Sequence, residues 1–279
     1  MKQIAAITMA RNDEFFLNRW IDYYGKQLGE ENLFIYLDGE DQPVPAHAKK
    51  ALVIHEKRVA EHVVKAEKRR LGFLSEVAAD LLKEGYELII GVDADEFLVV
   101  DPSLQTTLKE YLSTLDVKTS VSGLGMDVGQ HLDTEKTLDL TLPFLTQREY
   151  AFLSPRYTKP SVICKPLQWG SGFHRIKGEN FKIDPNLYLF HFGSVDFEMI
   201  QERFQDKDRM ATGRKKHIMK RARTITLVTK SKAKNGDKFL PLARKIQTLC
   251  RPIFAWNKPT MAGWKLIVKI PERFKKIEL

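Results

Sequence analysis

The 279-residue chain reads as an α/β domain on a mostly parallel central sheet with flanking helices, followed by a basic, mostly helical C-terminal extension. Three observations predict this. Short apolar runs alternate with helix-periodic stretches through the N-terminal part, which is the pattern of βαβ units. The apolar run Leu88–Ile90 leads into three carboxylates, Asp93, Asp95 and Glu96, and apolar sequence resumes at Phe97. Charge then divides the chain: residues 201–279 carry 22 Lys and Arg against 6 Asp and Glu, a net of +16, whereas the first 200 carry 23 against 30, a net of −7. The expected division is a catalytic domain over 1–200 and an extension over 201–279.

Taken in order, Lys2–Ala10 reads as a buried strand with Ile4, Ala5, Ala6 and Ile7 inside. Arg11-Asn12-Asp13-Glu14 is a polar break, and Asn12 or Asp13 can cap the helix that follows. Phe15, Phe16, Trp20, Tyr23, Tyr24 and Leu28 recur at helical spacing and predict a core-facing stripe. Leu33–Leu37 is a second strand, ended by the turn residues Asp38-Gly39-Glu40-Asp41. Leu52–His55 is a third strand, and Val59–Gly85 a long helix with Lys65, Lys68, Arg69 and Arg70 at its middle. Beyond the acidic cluster, Leu104–Leu115 is helical and Ser120–Val128 runs as a strand into a loop holding Asp127 and Asp133. Leu138–Tyr157 is irregular, Ser161–Lys165 is a short strand, and Tyr188–Phe192 is an apolar strand enclosing His191. Ser194 or Asp196 opens a helix predicted to reach Gly213, and a basic run Arg214–His217 follows.

The acidic cluster carries the chemistry. Three carboxylates flanked by core-type sequence are costly unless partnered, because a buried charge loses its hydration. A divalent cation is an economical partner, since hard ions take carboxylate oxygens and bridge them to phosphates. In open α/β sheets, ligands also sit at the carboxyl ends of strands. The bland alternative is an acidic turn capping a helix at Pro102–Leu115. His191, an imidazole inside an apolar strand, is by itself more often a satisfied core histidine than a ligand. Trp169, between basic and glycine-rich sequence, is either core or an apolar face for a sugar ring.

Composition limits the remaining classes. No apolar run approaches the roughly 20 residues of a membrane span. Met1–Ala10 lacks the form of a signal peptide, and Cys164 and Cys250 have no metal or disulfide spacing, so a cytoplasmic location is expected. Neither G-x-x-x-x-G-K-[ST] nor a G-x-G-x-x-G phosphate loop is present. Any nucleotide would therefore be held by metal and side chains. A nucleic-acid-binding protein acting through the tail would leave the acidic cluster unexplained, so no nucleic-acid partner is expected.

Thr8-Met-Ala-Arg11-Asn12-Asp13-Glu14, Tyr36-Leu-Asp38 and Asp93-Ala-Asp95-Glu96-Phe97 fall in the order seen in GT-A-fold glycosyltransferases. The chain resembles the bacterial family-2-like group with a central D-x-D-E-F motif, over roughly residues 1–200. That resemblance implies a nucleotide-diphosphate sugar donor, most readily a UDP-sugar, and Mn²⁺ or Mg²⁺ held by Asp93, Asp95 and His191. It places Thr8, Arg11, Asp38, Arg70 and Asp93 at the nucleotide. It also favours an inverting transfer to a saccharide or lipid-linked glycan in cell-surface polysaccharide or lipopolysaccharide synthesis. Inversion needs a proton acceptor, and Asp127 and His174 are the leading candidates, with Asp133 and Glu179 behind them. A nucleotidyltransferase could use the same carboxylate–metal site. It would normally carry a glycine-rich loop after the first strand, and Thr8–Glu14 contains no glycine.

The tail points to an anionic partner. Gly263–Lys276 alternates cations with Trp264, Ile267, Ile270 and Phe274, the composition of a segment lying at the inner face of an anionic membrane. The competing expectation is a basic helix packed on its own domain.

Overall fold

The computed structural model describes residues 1–59, 61–205 and 215–279. Its N-terminal half is a doubly wound βαβ unit. The strands β1 (Ile4–Ala10), β2 (Leu33–Asp38), β3 (Leu52–Glu56) and β4 (Leu88–Gly91) are all parallel, in the spatial order β3-β2-β1-β4. Helix α1 (Glu14–Leu28) connects β1 outward to β2, and α2 (Val63–Lys83) carries the chain from β3 back across β1 to β4.

Strand periodicity explains why the two helices lie on opposite faces. Ile4 and Ala6 point one way, toward Phe16, Trp20 and Tyr24 of α1, while Ala5 and Ile7 point the other, toward Leu71, Leu74 and Ala78 of α2. With both faces covered, the inner strands β1 and β4 are almost wholly apolar, as a buried parallel sheet requires, whereas the edge strand β3 ends in His55 and Glu56 and is at most half-buried.

The second half pairs in mixed directions. It comprises β5 (Glu96–Val100), α3 (Leu108–Thr114), β6 (Ser120–Gly129), α4 (Phe144–Gln147), β7 (Tyr150–Leu153), β8 (Val162–Ile163) and β9 (Ile183–Ser194). Two-residue β8 runs antiparallel to both β4 and β6 and so joins the halves. Strand β9 lies between β5, antiparallel, and β6, parallel. The α/β class is thus the one the sequence predicts, with parallel pairing concentrated at the N-terminal end. Helix α3 starts on a capping box in which Thr107 Oγ1 accepts from the Glu110 amide and Glu110 accepts from the Thr107 amide.

The C-terminal segment contributes α5 (Phe197–Gln205), α6 (Lys215–Lys230), β10 (Lys234–Asn235), α7 (Gly236–Leu249) and β11 (Ile267–Lys269). The helix expected to reach Gly213 is described to Gln205, and the rest of that stretch, with Arg214, lies outside the described residues. Asp196 does open it, accepting from the Glu198 and Met199 amides.

The extension shares the sheet and core of the body. Strand β11 pairs with β7, and Phe274 is buried with its ring 4.9 Å from Tyr188 and 5.3 Å from Phe190. Arg273 grips Asp101 at 2.9 Å, and the Leu279 carbonyl accepts from the Phe144 amide at 2.8 Å. Ile267, Ile270 and Phe274 are therefore core residues of this protein rather than groups free to enter a membrane. Strand β11 buries Ile267, Ile270 is buried just after it, and Pro271 begins a short 3-10 turn that turns Phe274 inward. Trp264 alone of the four is exposed. Among the described residues, no helix is long and apolar enough to cross a membrane.

Candidate active site

The order β3-β2-β1-β4 creates a topological switch between β1 and β4, where successive connections leave in opposite directions. The crevice beyond the carboxyl ends of such strands is the usual ligand position in open α/β sheets. Arg11 follows β1, Asp38 ends β2, and Asp93 follows β4. Arg11 Nη1 donates to the Asp38 carbonyl at 2.8 Å, and its guanidinium forms a two-pronged pair with Asp41 at 2.8 and 2.9 Å. Thr8 is buried within β1, and its hydroxyl has no hydrogen-bond partner among the described residues.

Asp93 lies in an ionic network. Arg70 of α2 reaches its Oδ1 at 2.8 Å, and Lys159 reaches Oδ2 at 3.1 Å. Lys159 is buried and also contacts Glu96 Oε1 at 2.5 Å, while Arg70 pairs with Glu67 at 2.9 Å. Glu67 in turn accepts from the Gly172 amide at 2.8 Å.

Burial would raise the Asp93 pKa, but Lys159 and Arg70 outweigh it and hold this carboxyl well below the usual range. Glu96 goes the other way: burial pushes it up to about 7, against the pull of Lys159. Burial opposes charge on Lys159 as well, yet Asp93 and Glu96 together raise its pKa, so it stays a cation.

Asp95, Glu96 and His191 form the second group. A carboxylate oxygen from each acid and an imidazole nitrogen all lie within 4.8 Å of one another, and all three residues are buried. Antiparallel pairing sets the geometry, because Glu96 of β5 is in register with His191 of β9. On the far side, β6 brings Asp127 into register with His191.

His191 Nδ1 and Asp127 Oδ1 are 2.7 Å apart, and Thr224 of α6 donates to the other Asp127 oxygen at 2.6 Å. The imidazole stacks on Tyr157, with ring centroids 3.8 Å apart and planes 15° from parallel. Its Nε2 faces Asp95 Oδ2 at 3.6 Å, beyond hydrogen-bond length. Arg203 lies 3.8 Å from the same oxygen and 3.3 Å from Asp13.

These residues fit a hard or borderline divalent cation. Asp127 engages one imidazole nitrogen and leaves the other toward the carboxylates, the usual arrangement around a metal-bound histidine. Two carboxylate oxygens and one imidazole nitrogen are donors that such a cation accepts.

The structure thus brings Asp95 and His191 together, with Glu96 as the third neighbour, and turns Asp93 toward Arg70 and Lys159. Asp127 stands behind His191 with both oxygens bonded. His174 is half-buried at the end of a 3-10 turn, its Nδ1 2.8 Å from the Arg156 carbonyl. Burial first, then Lys159 and Arg156, lower its pKa well below the usual histidine value. Asp133 lines a separate surface cleft of about 590 Å³ with Lys136 and Phe197, and Glu179 pairs with Lys165 at 3.2 Å. Trp169 is core: its indole packs edge-on to Phe173 and donates to the Pro160 carbonyl.

Sequence reading missed Lys159, Tyr157, Thr224, Glu67 and Arg203. Lys159 had one faint signal, a lone cation in the otherwise uncharged run Tyr157–Cys164. The others look like ordinary loop or helix residues until the fold closes.

No protein-family model and no curated protein matches the sequence. Among solved structures, the chain is similar to mannose-1-phosphate geranyltransferase from Thermus thermophilus, at 14% identity and TM-score 0.32, over 76% of this chain and 64% of that one. It is also similar to CMP:2-keto-3-deoxy-manno-octonic acid synthetase complexed with CTP, at 11% identity and TM-score 0.30, over 80% and 87% of the two chains. A third likeness is to a glycosyltransferase involved in the glycosylation of the major capsid of PBCV-1, at 10% identity and TM-score 0.25, over 44% and 50%. At these scores the similarities carry no weight for function.

Proposed function

We propose that this protein is a metal-dependent glycosyltransferase that moves a sugar from a nucleotide-diphosphate donor, a UDP-sugar first, to a saccharide or lipid-linked glycan. The single observation behind this reading is the buried Asp95–Glu96–His191 cluster beside the β1/β4 switch, where an α/β sheet takes its ligands. A bound Mn²⁺ or Mg²⁺ would supply Lewis-acid stabilisation of the diphosphate leaving group.

The chain's own residues then divide the work. Arg11 and Asp38 stand at the edge where a nucleotide would lie, and the Thr8 hydroxyl is buried in the strand leading there. Arg70 and Lys159 keep Asp93 ionised, so it could hold a ribose hydroxyl or help to hold the cation. Asp127 positions His191. With its Nδ1–H given to the Arg156 carbonyl, His174 keeps Nε2 free as a neutral proton acceptor for an inverting transfer.

Calorimetry with UDP or GDP, with Mn²⁺ or with chelator, tests the reading. Binding is expected only with the cation, and equal affinity in chelator would overturn it. The nucleotidyltransferase alternative is separated by product. Release of a nucleoside diphosphate from nucleotide sugars supports sugar transfer, whereas pyrophosphate released from a nucleoside triphosphate and a sugar phosphate supports nucleotidyl transfer.

A further inference from the structure

The connection between α7 and β11 is built unlike the rest of the surface. It has no regular secondary structure, yet it is anchored by several inward residues. Ala255, Asn257, Pro259 and Met261 are buried, and Asn257 donates to the Ile176 carbonyl at 2.7 Å. Arg251 closes the first part of the loop, donating to the Trp256 carbonyl at 2.8 Å with its guanidinium 4.2 Å from the Phe181 ring centroid. Most of its large apolar residues are turned out to solvent: Leu249 is 81% exposed, Ile253 108%, Phe254 83%, and Trp256 and Trp264 58% each. An anchored loop with outward aromatics is not what burial of apolar surface would produce on a free monomer.

The loop's own charge has one sign. From Leu249 to Lys265 the chain has no Asp or Glu. Lys258 faces Arg175 and Arg156, and after burial these two cations are what lower its pKa. Arg156 also borders the candidate site, since its carbonyl holds His174 Nδ1 at 2.8 Å. Arg156, Arg175, Lys258 and Lys265 have no ion-pair partner among the described residues. Concentrated positive charge beside exposed Trp, Phe and Ile matches the two layers of a bilayer interface, anionic headgroups above and acyl chains below. A protein partner of ordinary composition would supply mixed charge at its rim instead.

We propose that the loop Leu249–Lys265 is a membrane-docking element. It inserts Ile253, Phe254 and Trp256 into the headgroup–acyl boundary of an anionic bilayer, while Arg156, Arg175 and Lys258 contact the lipid phosphates. Docking in this way would turn the His174 side of the site toward the membrane, where a lipid-linked acceptor would stand. Membrane binding itself does not depend on the transferase reading, because it requires neither nucleotide nor metal.

The test uses the full chain with vesicles of phosphatidylcholine alone or mixed with phosphatidylglycerol, at low and high salt. Co-sedimentation is expected with the anionic vesicles and is expected to fall with salt. The tryptophan emission should shift to the blue on binding, a change that reports Trp256 and Trp264 because Trp20 and Trp169 are already buried. Phe254→Ser with Trp256→Ser removes mostly exposed groups, so the fold should be kept and the melting temperature nearly unchanged. Vesicle affinity should drop by at least about tenfold, given the apolar area lost. Equal association with neutral and anionic vesicles, no association, or a double variant that binds like the native chain would each overturn the proposal. So would sedimentation velocity showing a native dimer that the double variant abolishes, because the patch would then be covered by a second copy.

Discussion

Trp264 and Phe274 look alike in the sequence, two aromatics in one basic tail, and the structure predicts opposite consequences for removing them. Phe274 is fully buried between Tyr188 and Phe190 of the central sheet and Arg273 of its own turn. Phe274→Ala deletes a ring from a close-packed site whose neighbours are held by the sheet and cannot collapse into the space. Such truncations cost about 3–5 kcal/mol, the transfer of the ring plus the cavity left behind. For a chain of this size each kcal/mol moves the midpoint by about 2–4 °C, so a fall of roughly 6–20 °C is expected. Trp264→Ala removes mostly exposed surface and should stay within about 0.5 kcal/mol of the native protein. Urea and thermal denaturation followed by circular dichroism measure both variants. The native chain should melt in one cooperative transition, and Phe274→Ala should shift the whole of it. A separate minor transition that alone responds to Phe274→Ala would show an extension folding apart from the body. Loss of less than about 1 kcal/mol would show that the packing of Phe274 on β9 does not hold the fold together.

Two further outcomes follow from the site. Lys159→Met strands Glu96 and weakens the hold on Asp93 in a buried setting, so it should destabilise by about 3–5 kcal/mol in urea titrations. Adding Glu96→Gln should recover much of that loss; a double variant no more stable than the single would mean the pair is not coupled. Asp127→Asn keeps the shape beside His191 but removes the charge that orients the ring, and should weaken Mn²⁺ binding about 10–100-fold by calorimetry while leaving the melt unchanged. Unchanged Mn²⁺ affinity would take His191 out of the metal site.

How much was legible follows from the range over which each signal acts. The strands β1, β2, β3 and β4 and the helices between them announce themselves because alternating apolar runs and helical stripes are local properties, repeated every few residues. The acidic cluster was legible for the same reason: three carboxylates between two apolar runs are anomalous wherever the chain goes. His191 could be singled out as polar within an apolar strand, but its role was open, since a satisfied core histidine leaves the same trace. The division at residue 200 followed charge, which records solvent exposure and not the path of the sheet.

By itself, then, the sequence determined the α/β class, the parallel N-terminal unit and the strand end at which the acidic cluster stands. Only the tertiary structure decided which residues share the site. Register across β5, β9 and β6 aligns Glu96, His191 and Asp127, which are far apart along the chain, and no periodicity encodes that alignment. Packing also decided that Lys159 lies under Asp93 rather than in solvent, and that Phe274 belongs to the core while Phe254 and Trp256 face outward. Hydrophobicity states that a side chain gains by leaving water. Where it goes depends on the neighbours that the rest of the fold brings to it.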